Sequence, residues 1–382
     1  MTTSSLKAAA IAALALLAPA CGSVRPEAPL RTEARVLLGP YVSDVGPRRF
    51  RVVWETETPV PTRLLWGEGN GAPSLVEDAE PAIHHEALVS GLSPGAAYWY
   101  RLGEDGSSGV PIPVRTRPDP VRTVRVAVIG DTHSTGGVHA RIVREIAAEG
   151  PDLLLHTGDL SLRRGKKEGG DETDFFRVEG PLLRSVPIVP VLGNHDGGGG
   201  RFVDLFVRPR EAGDEAYYLV LHGPLALIAL DTNEPIDPKS EQGLWLEETL
   251  RSLHSDPGIL FRIVAMHWGP YETGSGHGPN LDARDALVPL FERYGVDVVF
   301  SGHDHAYERS TVSGIRYVMT GGGGGGVRKP HQVLGGPFTE ASASTPHHGL
   351  LEIDGRALRF TAREARGGRI LDEFRVEKAS AP

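Results

Sequence analysis

A chain of 382 residues has room for two or three domains of roughly 150 residues, with a buried core and no need of disulfide or structural-metal staples. Apolar residues at 40% and charged residues at 23% exclude a mostly disordered chain and a polytopic membrane protein. The net charge of −9, with Lys and Arg scattered, leaves no basic stripe of the kind a nucleic-acid binder shows, and 48 Gly with 30 Pro favour strands and turns over long helices.

At the amino terminus, Lys7 precedes an apolar run, Ala8 to Ala18, which has the length of a signal-peptide core and is too short to cross a bilayer. The single cysteine, Cys21, excludes an internal disulfide. The ending Leu17-Ala-Pro-Ala-Cys21 resembles a bacterial lipobox, with Ala18 where that pattern prefers leucine. It implies a lipidated Cys21 and an exported protein, in the periplasm or at the cell surface, that meets the membrane through its lipid alone. An ordinary signal cleaved at Pro19-Ala20 is the alternative. Residues 22–34 then form a polar tether.

From residue 35 to 117, short β-branched and aromatic runs alternate with turns, as in Arg49–Trp54, Thr62–Trp66 and Ala97–Arg101, which predicts an antiparallel β-sandwich. The segment Gly91–Tyr98, with Leu92 and Pro94 before Tyr98, resembles the corner of fibronectin type III domains, where a tyrosine hydroxyl ties back to the backbone. A plain tight turn is the other reading. Arg117-Pro118-Asp119-Pro120 is an extended linker, because each proline biases its predecessor away from helix.

A second domain spans residues 121–377. Apolar runs predict strands at Val124–Ile129, Leu153–His156, Ile188–Leu192, Leu225–Leu230, Phe261–Met266 and Val296–Phe300. Helical spacing predicts helices at Val138–Ala148, Gln242–His254 and Asp285–Tyr294, the last with Asp282 and Asp285 at its start. Later strands are expected at Arg316–Thr320, Gly349–Ile353, Leu358–Thr361 and Ile370–Val376, giving a layered α/β domain. Gly197–Gly200 and Gly321–Gly326 read as short flexible loops.

Five polar clusters stand at the carboxyl ends of these strands: Gly130-Asp131-Thr132-His133, Gly158-Asp159, Gly193-Asn194-His195-Asp196, Met266-His267 and Gly302-His303-Asp304-His305. Strand carboxyl ends are where an α/β sheet opens a ligand crevice, so these side chains are expected to converge despite their separation in sequence. A leading glycine lets the backbone turn sharply out of a buried strand. The set offers two aspartates, one asparagine and four histidines, donors suited to Zn, Mn or Fe, and the lack of cysteine here excludes thiolate zinc and iron–sulfur centres. Seven donors exceed what one tetrahedral ion uses, so a two-metal centre is the economical arrangement.

The order Asp-x-His, Gly-Asp, Gly-Asn-His-Asp, His, Gly-His-x-His resembles the calcineurin-like metallophosphoesterases. The preceding sandwich and the run Gly302-His-Asp-His-Ala-Tyr-Glu-Arg309 look like the purple acid phosphatase branch. The resemblance implies a layered α/β/β/α body with mixed sheets. It implies that Asp131, His133 and His305 bind one metal, that Asn194, His267 and His303 bind a second, and that Asp159 bridges them. Purple acid phosphatases place a chromophoric tyrosine three residues after the bridging aspartate, where this chain has Leu162. The branch usually has glycine where this chain has His133. A colourless Fe, Mn or Zn pair is therefore expected.

The implied reaction is hydrolysis of a phosphate ester by metal-activated water, monoesters being slightly favoured over diesters and nucleotides. His195 resembles the family's non-ligand histidine that protonates the leaving group, with Asp196 as its orienting partner or, alternatively, as half of a structural pair. His277, in a glycine-rich loop, is a candidate substrate contact, and His347 and His348 are candidates for the crevice edge. His84, His85, His222 and His254 read as surface or packing residues. A non-catalytic surface-binding lipoprotein remains the reading from another class, and the oligomeric state is open.

Overall fold

The computed structural model describes residues 34–103, 108–133, 137–160, 172–196, 200–206, 216–272, 277–327 and 337–379. The Ala8–Ala18 run, Cys21, tether residues 22–33, Leu162 and Gly197–Gly199 lie outside the described residues. Residues from Glu33 onward gather into one compact unit.

Strands β1 (Val36–Val45), β2 (Arg49–Glu68), β3 (Ser74–Ser90), β4 (Ala97–Leu102) and β5 (Ser108–Arg115) form one antiparallel sheet. The 20-residue β2 pairs with β1 through its first half and with β4 through its second. Its register against β3 breaks between Glu55 and Thr62, where Pro59 and Pro61 remove ladder donors. The sheet folds over at that break, so Phe50, Val52 and Trp54 share a core with Leu64, Tyr98 and Tyr100. The Tyr98 hydroxyl accepts the Ser93 N–H at 2.9 Å, the tie that Leu92-x-Pro94 suggested.

The remaining chain builds four layers. A six-stranded sheet contains β6 (Thr123–Ile129), β7 (Leu153–His156) and β8 (Ile188–Pro190), parallel to one another, with β16 (His347–Asp354), β17 (Ala357–Glu364) and β18 (Ile370–Glu377) added antiparallel. A seven-stranded sheet contains β9 (Tyr218–His222), β10 (Leu225–Ala229), β11 (Phe261–Ala265), β12 (Val298–Ser301), β13 (Tyr307–Val312), β14 (Ile315–Thr320) and β15 (Thr339–Ala343). The two sheets bury Val126, Leu155, Leu227, Ile263, Phe300 and Phe360 between them.

Helices cover the outer faces. On one side, α1 (Gly137–Glu149), α2 (Glu172–Leu183) and the short α3 (Gly200–Leu205) pack Ile142, Ile146, Phe175 and Phe202 against Ala127, Ile129 and Leu154. On the other, α4 (Glu241–Ser255) and α5 (Leu281–Tyr294) pack Leu246, Leu250, Leu287 and Phe291 against Ile228 and Val264. Asn280, not an aspartate, caps α5 by accepting the Ala283 N–H, and Gly295 ends it at φ 68°.

The amino-terminal sheet is fastened to this body. Leu38, Tyr41 and Val53 join the α1–α2 core, and the Tyr100 hydroxyl donates to the Arg184 carbonyl at 2.8 Å. The Arg201 guanidinium of α3 donates to both oxygens of Glu55 at 2.8 and 2.7 Å and to Glu172 at 2.5 Å.

Candidate metal centre

The carboxyl ends of β6, β7, β8, β11 and β12 carry the five clusters. Among the described residues, Asp131, His133, Asp159, His303 and Ser313 are the non-glycine residues with positive φ, at 56, 42, 55, 72 and 51°. Four of the five are expected ligands. Left-handed backbone costs an ordinary residue about 1–2 kcal/mol, so the fold carries strain where the donors leave their strands.

Of the leading glycines, only Gly158 has positive φ, at 102°. Gly130 is small because the Thr157 side chain is close, and Gly193 and Gly302 because another ligand is. A Cβ on Gly193 would lie 2.2 Å from Asp159 Oδ1, and one on Gly302 would lie 2.5 Å from Asp131 Oδ2. The turn is thus made by the residue after the glycine, and the glycine supplies clearance.

All seven expected ligands meet. His133 Nε2 lies 3.1 Å from His305 Nε2, and His305 Nε2 lies 3.6 Å from Asp131 Oδ1. Asn194 Oδ1 lies 3.0 Å from His267 Nε2 and 3.1 Å from His303 Nδ1. Between the two groups, Asp159 Oδ2 faces His133 Nε2 at 3.6 Å and His267 Nε2 at 3.4 Å, the position of a bridging carboxylate. Asp131, Asp159 and His267 form a buried floor, while Asn194, His195 and His277 stand exposed at the rim. The crevice is therefore open to a solute.

The donor set fits a pair of cations. His267 Nδ1 donates to the Thr157 carbonyl at 2.9 Å and His305 Nδ1 to the Gly326 carbonyl at 2.7 Å, which turns each Nε2 into the crevice. Burial pushes the Asp131 carboxyl well above the usual range, with partial relief from His267. Burial would lower His267, but the Asp159 carboxylate holds its imidazolium up to about 10; the same partnership, against burial, holds Asp159 low. Burial lowers His133 to about 4 and His303 to about 3, so both are neutral imidazoles ready to ligate.

The remaining site residues divide. The His195 ring centroid is 5.1 Å from that of His133, and the His195 backbone N–H donates to Asp159 Oδ1 at 2.9 Å. Asp196 is fully buried, and its Oδ2 accepts the N–H groups of Asp159 and Gly193 at 3.1 and 2.9 Å, fixing the turn that presents the bridge. The His277 ring lies tilted beside His303 with centroids 4.2 Å apart, at the mouth. His347 and His348 do not edge the crevice. Both are buried on β16, where His347 donates to the Thr345 carbonyl and packs on Tyr307. His85 is buried between Thr56 and Thr62 and stacks on Trp54, while His84 lies between Glu55 and Glu86.

The loop Gly321–Gly326 is a wall of the site. A Cβ would lie 2.8 Å from Asp131 Oδ2 at Gly321, 2.2 Å from the His347 ring at Gly322 and 2.2 Å from the His133 ring at Gly325. Gly323 and Gly325 donate their N–H groups to the Gly130 and Asp131 carbonyls, both at 2.9 Å. The composition that reads as a flexible loop reflects crowding at Gly321 through Gly325.

The family model for the calcineurin-like phosphoesterases matches residues 124–307, the segment from β6 to the start of β13 that bears all seven donors. The chain carries a calcineurin-like phosphoesterase domain. Purple acid phosphatase 15 of Arabidopsis thaliana is 26% identical to it over 295 residues, covering 63% of this chain and 54% of that protein. The chain thus spans about half the length of that relative. A solved purple acid phosphatase, PPD1 from yellow lupin (Lupinus luteus) seeds, superposes with a TM-score of 0.73 at 18% identity, over 88% of this chain and 74% of that one. The structure of PhoD superposes with a TM-score of 0.69 at 15% identity, over 92% of both chains. These two likenesses establish that the phosphoesterase domain and the preceding antiparallel sheet share a known fold.

Proposed function

We propose that this chain is a dinuclear-metal hydrolase of phosphate esters. The reading rests on one observation above the rest: seven oxygen and nitrogen donors from five separated loops converge in one open crevice, within the segment that matches the phosphoesterase family. Asp131, His133 and His305 would hold one ion and Asn194, His267 and His303 the other, with Asp159 between them. Such a pair supplies Lewis acidity toward phosphoryl oxygens and makes water nucleophilic near neutral pH.

The chain's own residues do the rest. His195, exposed beside His133, delivers a proton to the leaving oxygen. Asp196 acts by holding the Asp159 and Gly193 amides, which keeps Asp159 and the His195 turn in place. His277, beside His303 at the rim, contacts the substrate phosphate. The ions are Fe, Mn or Zn, and with Leu162 in place of a phenolate ligand the loaded protein is colourless. Monoesters are the favoured substrates, in keeping with the purple acid phosphatase relatives.

Metal analysis of purified protein, paired with hydrolysis of nitrophenyl phosphate and bis-nitrophenyl phosphate, tests the reading. Two ions per chain and faster monoester turnover are expected. Faster diester turnover would move the assignment to a phosphodiesterase, and a metal-free, inactive chain would leave a surface-binding protein. Export and lipid anchoring at Cys21 belong to the same proposal, supported by the Ala8–Ala18 run; loss of radiolabelled palmitate in Cys21→Ala is the expected result.

A further inference from the structure

We propose that Glu272 is a positioning residue that clamps the loop after β11 to the end of β12, and so sets the separation of His267 and His303. The inference rests on the two-ion reading above. Glu272 is 2% exposed, a burial that a carboxylate tolerates only with partners. Its Oε1 accepts the Gly269 N–H at 2.5 Å, and the Ser301 hydroxyl lies against the same carboxyl. Gly269 lies two residues after His267, and Ser301 two residues before His303. One carboxyl therefore stands between the two chain segments from which these ligands leave their strands.

The clamp is tight and leaves no slack. A Cβ on Gly269 would fall 2.5 Å from Glu272 Oε1 and 2.5 Å from Ser301 Oγ. The bond from the Gly302 N–H to the His267 carbonyl, at 2.9 Å, continues the same seam toward the ligands. Among the described residues Glu272 Oε2 has no hydrogen-bond partner, and it borders a cavity of about 10 Å³ that it shares with Ser301, Glu308 and Tyr317, large enough for one water. Burial, with Asp304 nearby, pushes the Glu272 carboxyl well above its usual range, and Oε1 is the acceptor of the Gly269 N–H. An amide oxygen can take over that acceptor role.

The geometry separates a clamp from a merely structural buried acid. Coordination tolerates displacements of about 0.2 Å, so releasing the seam should weaken the ion held by Asn194, His267 and His303 and spare the ion on Asp131, His133 and His305. The full chain, stripped with chelator, is titrated with Zn²⁺ alone by calorimetry. Wild type is expected to show two binding steps. Glu272→Gln should keep both within about twofold, while Glu272→Ala should lose about 10- to 100-fold in one step only, the range seen when a ligand's supporting hydrogen bond is removed. Ser301→Ala, which removes one arm of the clamp and keeps the buried acid, should lose about tenfold in the same step, and it serves if Glu272→Ala does not fold.

Unchanged steps in the alanine variants, equal weakening of both steps, or failure of Glu272→Gln to preserve affinity would each overturn the clamp. A wild-type chain that takes fewer than two ions would instead overturn the dinuclear reading.

Discussion

Replacing Gly325 by alanine should disable one ion site without removing any donor. The added Cβ would sit 2.2 Å from His133 Cδ2 and 2.7 Å from the Asp131 carbonyl, more than 1 Å inside ordinary contact with the ring. His133 cannot retreat freely, since its Nε2 is fixed against His305 at 3.1 Å and Asp159 at 3.6 Å. Overpacking of this kind costs about 1–3 kcal/mol. A ring moved by about 1 Å is also well outside the roughly 0.2 Å that coordination tolerates. Calorimetric titration with Zn²⁺ should show one step weakened about 10- to 100-fold, as when a ligand loses its orienting shell. Melting temperature should fall by a few degrees. Gly137→Ala, at a helix start with open space around it, is the control and should change neither quantity. A Gly325→Ala protein that binds both ions with wild-type affinity would refute the crowding argument.

His195→Ala should lower turnover of nitrophenyl phosphate by about 10²- to 10⁴-fold while two ions stay bound; undiminished turnover would remove His195 from proton delivery. His84, whose pKa Glu55 and Glu86 raise to about 9 against burial, contributes stability that is complete below pH 6.5 and lost as pH rises through 9. Glu55, held down to about 2 by His84 and Arg201 against burial, contributes stability present above pH 4.5 and lost as pH falls through 2. Since His84 is partly exposed, its effect is on the order of 1 kcal/mol after screening. The stability gap between wild type and His84→Ala in urea melts should therefore narrow between pH 6.5 and 9.5, and a constant gap would count against the His84–Glu55 pair. Metal-loaded protein should show no strong visible charge-transfer band, and an intense one would mean that an unassigned phenolate ligates.

The ligand-bearing strands were legible because parallel strands buried on both faces read as continuous apolar runs, and each run here ends in a polar cluster. The strand expected at Leu153–His156 matches β7 to the residue. Helix α2 was hidden because Gly180 and Pro181 interrupt it and because it buries Phe175, Phe176, Val178 and Glu179 around more than one face, which erases the amphipathic period. Tyr307–Arg309 close the Gly302–Arg309 run in the sequence and open β13 in the fold. The roles of Gly321–Gly326 and Glu272 had no local signal. Both depend on partners far away in sequence, and composition records neither a missing Cβ nor the residue that would collide with it. His347 and His348 misled because a histidine pair before a strand looks the same whether it faces solvent or a core.

Asp131, Asp159 and Asn194 hang from the six-stranded sheet, whereas His267, His303 and His305 hang from the seven-stranded one. Bound ions would thus rivet two layers that otherwise meet through apolar side chains such as Leu155 and Phe300. Chelation then becomes a way of softening the whole sandwich of sheets as well as silencing it, and heat and metal scarcity become interchangeable stresses, because whatever binds only the assembled layers raises the temperature at which they part.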